Sequence, residues 1–131
     1  MKIVLTEQEK QDIFYNALCD GAGYIQGYGI RIGYDNDDYS TARDNLQSKN
    51  PTNVWCWEDV LMEVLKTGKP LKIEDIEGEG ENDKTITLQD MYDNIETVPP
   101  ATILNMVNEE YDATDADTVL QHCFYRELIF G

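Results

Sequence analysis

The stretch WEDVLMEVLKTGKPLKIEDI, residues 57–76, changes its hydrophobic period across one short connection. Trp57, Val60, Leu61, Val64 and Leu65 recur at helical spacing, and Lys66-Thr67-Gly68-Lys69-Pro70 ends the run with residues that stop helices. From Leu71 to Ile76 the apolar side chains alternate instead, which is the pattern of a half-buried strand. A second strand pattern follows at Lys84–Thr87 after a glycine-containing acidic turn, so the two pair as an antiparallel hairpin. Leu88, Met91, Tyr92 and Ile95 then return to helical spacing, and Pro99-Pro100 closes that run. Helix, hairpin, helix without a repeating strand–helix–strand rhythm predicts the α+β class: short helices on a small, largely antiparallel sheet.

The same reading extends in both directions. Downstream, Ile103, Met106 and Val107 mark a short helix. Thr114 or Asp115 is expected to cap a last helix with Ala116, Val119, Leu120, Cys123 and Phe124 on one face, leading to an apolar end at Leu128, Ile129 and Phe130. Upstream, Lys2–Leu5 reads as a short strand. Thr6 with Glu9 forms a capping box opening a helix whose stripe is Ile13, Phe14, Ala17 and Leu18, and Gly21 is expected to stop it. Tyr24–Tyr34 alternates, with Tyr28, Ile30, Ile32 and Tyr34 on one face and Gly27, Gly29, Arg31 and Gly33 on the other, which predicts a strand with one nearly bare face. Asp37 or Asp38 is expected to cap a helix reaching about Leu46, with loop at Ser48–Asn53. No interdomain linker or internal repeat interrupts the 131 residues, so a single domain is expected.

Composition narrows function by exclusion. Hydrophobic residues at 41% give enough apolar area for a core, unlike a disordered acidic tail. A formal charge of −16 repels phosphate backbones and anionic lipid, which argues against direct contact with nucleic acid or membrane. No apolar run is long enough to span a bilayer, and the N-terminal residues turn polar at once, so a cytoplasmic location is expected. Cys19, Cys56 and Cys123, an odd set without CxxC spacing, are expected to be buried reduced thiols.

Candidate chemistry is sparse. Asp35-Asn36-Asp37-Asp38 starts like a calcium loop, but Ser40 stands where the sharp turn needs glycine and Leu46 where it needs glutamate. His122 and Cys123 are neighbours on a helix and point about 100° apart, so they read as a surface imidazole and a core thiol rather than a catalytic pair. Gly27-Tyr28-Gly29 follows a helix instead of opening one, which makes it a poor dinucleotide fingerprint. Neither a catalytic group nor a cofactor or metal is expected.

The charge is unevenly placed. Between Glu74 and Asp117 lie fourteen acids and one base, Lys84. Glu74, Asp75, Glu77, Glu79, Glu81 and Asp83 crowd the hairpin turn, and Asp112, Asp115 and Asp117 follow near the last helix. These acids either keep the chain soluble or form a recognition surface for a basic partner protein, with Trp55 or Tyr111 as an aromatic anchor. The extreme form of the second reading is DNA mimicry directed at a nucleic-acid-binding host enzyme. The glycines around Tyr24 and Tyr28 support a third reading, a shallow groove for a planar, nucleotide-like small molecule.

In Cys56–Gly131, Glu58-Asp59-Val60, Thr85, Thr87, Leu88 and Asp90 are followed by Asp115-Ala116-Asp117, Leu120-Gln121 and Leu128-Ile129-Phe130-Gly131. In these residues the second half resembles small uncharacterised acidic proteins of tailed phages and prophages. They are caps and core positions, so the resemblance carries over no functional residues. It implies an accessory protein of phage origin that binds or inhibits a factor in the host cytoplasm.

Overall fold

The computed structural model describes residues 3–131. Among these residues, six helices and a three-stranded sheet pack on one core: α1 (Glu7–Gly27), β1 (Ile30–Gly33), α2 (Asn36–Lys49), α3 (Trp57–Lys66), β2 (Leu71–Asp75), β3 (Lys84–Ile86), α4 (Leu88–Ile95), α5 (Pro100–Val107) and α6 (Ala113–Tyr125). The expected α+β class holds. The strands run antiparallel in the order β1-β2-β3, with Ile32 opposite Ile73 and Leu71 opposite Ile86. Ile30, Ile32, Leu71, Ile73 and Ile86 turn one face of the sheet into the core, while Arg31, Lys72 and Thr85 stand on the other.

The central contact is α1 against α6. Phe14, Ala17, Leu18 and Ile25 meet Ala116, Val119, Leu120 and Phe124 in one core, and the Phe14 and Phe124 rings meet edge to face with centroids 6.3 Å apart. At the crossing, Gly21 lets the backbones approach: a Cβ there would lie 2.8 Å from the carbonyl carbon of Ala116. This explains the largest departure from the sequence reading. Gly21 does not stop α1, and residues 24–27 are helical rather than extended, leaving only Ile30–Gly33 as strand. Each helical glycine costs about 1 kcal/mol relative to alanine. Burial of Gly21 and Ile25 against the rest of the core offsets that cost.

Other boundaries move for local reasons. Asp35, not Asp37 or Asp38, caps α2, accepting from the Asp37 and Asp38 amides, and the helix runs to Lys49, taking the first two residues of the expected Ser48–Asn53 loop and leaving the rest non-helical. Asp112, not Thr114 or Asp115, caps α6 in a reciprocal box with Asp115. The Thr6–Glu9 box opens α1 as expected, and Thr87–Asp90 forms another at α4. Ile3–Leu5 form no strand, and Lys2, which belonged to that expectation, lies outside the described residues.

The chain after α6 is folded back by one buried side chain. Gln121 Oε1 accepts from the amides of Ile129 and Phe130, both at 2.9 Å, while its Nε2 donates to the Phe130 carbonyl and to Asp117 Oδ1. Phe130 then stacks on Tyr28 with ring centroids 4.9 Å apart. All four hydrogen-bonding positions of the amide are occupied, so its burial leaves nothing unpaired.

Candidate functional site: an acidic groove

Several acids expected on the surface are structural. Asp75 is only 5% exposed and organises the hairpin turn: its carboxylate accepts from the Gly78 amide at 2.8 Å and from the Asn82 side chain at 2.9 Å. Its own amide donates to Asp83 Oδ1. Asp117 is also buried, accepting from the Tyr28 hydroxyl at 2.7 Å and from Gln121. Asp75 and Asp117 therefore leave the expected recognition surface, because both are buried with their oxygens facing donors inside the fold. Asp115 is half-buried in the α6 cap, and Glu74 pairs with Arg31 at 2.7 Å. The exposed remainder of the turn is Glu77, Glu79, Glu81 and Asp83, with Glu79 in the left-handed region at φ 56°.

The aromatic anchors divide in the same way. Tyr28 is fixed by Phe130 and Asp117, and Trp55 is half-buried with its Nε1 enclosed. Tyr111 is half-buried and donates to Asp20 Oδ2 at 2.6 Å, which with burial pushes its hydroxyl up to about 12. Tyr24 alone of the four is strongly exposed, on the last turn of α1. The bare-faced glycine strand assigned to a planar ligand is not formed, since Tyr24 and Gly27 belong to α1.

The thiols and the imidazole also require correction. Cys19 and Cys56 are exposed and only Cys123 is buried. Desolvation raises Cys19 and Cys56, with the Asp59 carboxylate adding to the effect at Cys56, so both favour the protonated thiol. His122 is buried rather than on the surface, with Nδ1 2.9 Å from Thr97 Oγ1. Thr97 gives its one hydroxyl proton to the Asn94 carbonyl at 2.6 Å, so Nδ1–H must be the donor to Thr97. No group of three or more Cys, His, Asp or Glu among the described residues is arranged to hold a metal ion. No described helix is long and apolar enough to cross a membrane.

Tertiary structure gathers a different set of acids. On α1, the steps from Glu9 to Asp12, Asn16 and Asp20 follow helical spacing and form a polar stripe along the edge of the buried one, beside Ile13. Over this stripe lie the end of α5 and the connection to α6. Asn16, Asp20, Glu109, Tyr111, Asp112 and Ala113 line a concavity of about 510 Å³. A second hollow of about 130 Å³ adjoins it through the shared residues Asn16 and Glu109, and takes in Glu9, Asp12, Ile13, Met106 and Val107. The result is one groove whose charged lining residues, Glu9, Asp12, Asp20, Glu109 and Asp112, are all acids. Ion pairs among the described residues join Lys10 to Glu96, Arg31 to Glu74, Arg43 to Asp44 and Lys49 to Glu63, and none reaches these five.

Glu109 occupies its place at a cost. It has φ 57° at the end of α5, where its amide donates to Met106 and the Glu110 amide donates to Asn105, the two bonds of a Schellman stop. Glycine is the residue such a position favours. A carboxylate at a helix C-terminus also opposes the macrodipole, by about 0.3–1 kcal/mol. Of the groove acids, the sequence singles out Asp112 and includes Glu109 in the acidic stretch from Glu74 to Asp117; for Glu9, Asp12 and Asp20 the α1 stripe is the available signal, but its opposing wall depends on a tertiary contact.

Comparison with protein-family models, curated proteins and solved structures gives no match to this chain.

Proposed function

We propose that this protein is a non-enzymatic accessory protein, of the phage or mobile-element type its second half resembles, that binds a basic surface of a host or phage protein. The observation that carries the reading is the groove of five carboxylates without a cationic partner among the described residues. Like charges held together cost folding free energy through repulsion, and they attract and orient a cationic partner. The placement of Glu109 in a left-handed turn at the negative end of a helix supports the same reading, because folding alone favours glycine there. The exposed hairpin acids Glu77, Glu79 and Glu81 would add long-range attraction without forming the contact.

Charge spacing along α1, with Glu109 and Asp112 on the facing wall rather than in the same row, favours a protein partner over the DNA-mimic version. Glu9, Asp12 and Asp20 place three charges along about 16 Å of helix, whereas one DNA strand presents about five over that length. A protein surface bearing a few lysines or arginines is the better complement.

The test is affinity capture from host extract at low salt with three baits: wild type, D12N/D20N/E109Q/D112N and E77Q/E79Q/E81Q. Asparagine remains a good N-cap at position 112, so the first variant keeps that feature of α6. A basic protein retained by wild type and the hairpin variant but lost by the groove variant is the expected result. Equal retention by all three would remove the groove from the proposal.

A further inference from the structure

The groove continues onto an unpartnered helix face. α5, Pro100–Val107, carries no charged side chain, yet Leu104 is 49% and Val107 43% exposed, and Ala101 is exposed as well. These three recur at i, i+3 and i+6 and lie on the same side of the helix. Val107 also lines the smaller hollow beside Ile13 and Met106, so the apolar face borders the acidic one directly. Isolated exposed leucines are ordinary, but a charge-free helical face edged by Glu9, Asp12 and Glu109 is a two-part surface. The nearest base in sequence, Lys10, is turned away to Glu96 at 2.8 Å and to the Tyr92 carbonyl.

The geometry points to a cationic amphipathic helix as the occupant of this surface: its apolar side rests on Leu104 and Val107, and its lysines or arginines reach the carboxylates of Glu9, Asp12, Asp20 and Glu109. This rests on the basic-partner reading above and specifies which part of a partner docks. Charge complementarity selects the occupant. A second copy of this chain would bring the same negative groove against itself, and an anionic membrane would be repelled. A helix matches the length as well, since the stripe from Glu9 to Asp20 runs about 16 Å, or three turns. Anchoring side chains at i, i+3, i+4 and i+7 with charges on the flank are what a helix-in-groove contact requires.

The probe is a lysine–leucine peptide of about 14 residues, about 21 Å long as a helix, with apolar residues on one face. A scrambled peptide of identical composition lacks that face. Binding is followed by the helical circular dichroism of the peptide and by the methyl resonances of Leu104 and Val107. The amphipathic peptide should become helical, shift both methyl groups and bind at least about tenfold more tightly than the scrambled one. L104S/V107S, which alters only exposed side chains, should remove most of that preference, and E77Q/E79Q/E81Q should change affinity by less than about twofold. Equal, salt-dependent binding of both peptides with Leu104 and Val107 unmoved would overturn the helix inference and leave the basic-partner reading standing. No salt-dependent binding of either peptide would overturn both.

Discussion

Two buried aspartates show how little a residue's charge says about its task. Asp75 uses its carboxylate to tie the hairpin turn and Asp117 uses its own to hold Tyr28 and Gln121, while Glu79 and Glu81 in the same turn point into solvent. Removing the Asp75 carboxylate leaves several turn donors unpaired, so Asp75→Ala should lower stability by about 2–3 kcal/mol in urea unfolding. Glu81→Ala should change it by less than about 0.5 kcal/mol. At Glu109 the expected sign is reversed. Glu109→Gly relieves the positive φ and the adverse helix-end charge, so the melting temperature should rise, by about 1 kcal/mol in stability, while capture of a basic partner weakens. A variant less stable than wild type would show that Glu109 serves the fold. Burial holds the His122 imidazole below its ordinary value of 6.5, with Glu127 opposing weakly. Because the folded form binds its proton less readily than the unfolded chain, the contribution of His122 is complete above 6.5 and is lost as pH falls below it. The stability gap between wild type and His122→Gln should therefore shrink from about pH 7 to about pH 5; a constant gap would contradict the buried neutral imidazole.

At the scale of elements, legibility followed the locality of the cause. The α3–hairpin–α4 segment was readable because caps, period and turn residues agree within a few positions of one another. The end of α1 was not, because Gly21, Gly23 and Gly27 carry local signals for a stop and the decisive term, close approach to Ala116, comes from a helix almost a hundred residues away. The test is Gly21→Ala. Helix propensity alone predicts a gain of about 1 kcal/mol. The contact with the Ala116 backbone predicts overpacking that costs about 1–3 kcal/mol, and a net loss of stability is expected. A more stable variant would mean that the two helices separate easily at their crossing. The groove escaped sequence reading for the same reason. The clustering of acids in the second half drew attention to the hairpin, whereas Glu9, Asp12 and Asp20 gain meaning only when α5 and its connection to α6 lie across α1.

For the whole molecule, the net charge of −16 divides between acids buried by the fold, such as Asp75 and Asp117, and acids that stay accessible and outside the ion pairs of the described residues, among them Glu9, Asp20 and Asp112, which each keep one cap or phenol bond. Only the second kind is available for recognition, and its concave, partly apolar setting separates it from charge that merely keeps a protein in solution. The decisive measurement is the association rate of the captured partner, followed by stopped flow from about 0.01 M to about 0.15 M salt, over which the screening length falls from about 30 Å to about 8 Å. Wild type should lose rate steeply across that range, and D12N/D20N/E109Q/D112N should associate slowly at low salt with a much flatter dependence. Matching rates and matching slopes for the two proteins would mean that the groove carboxylates do not guide the encounter.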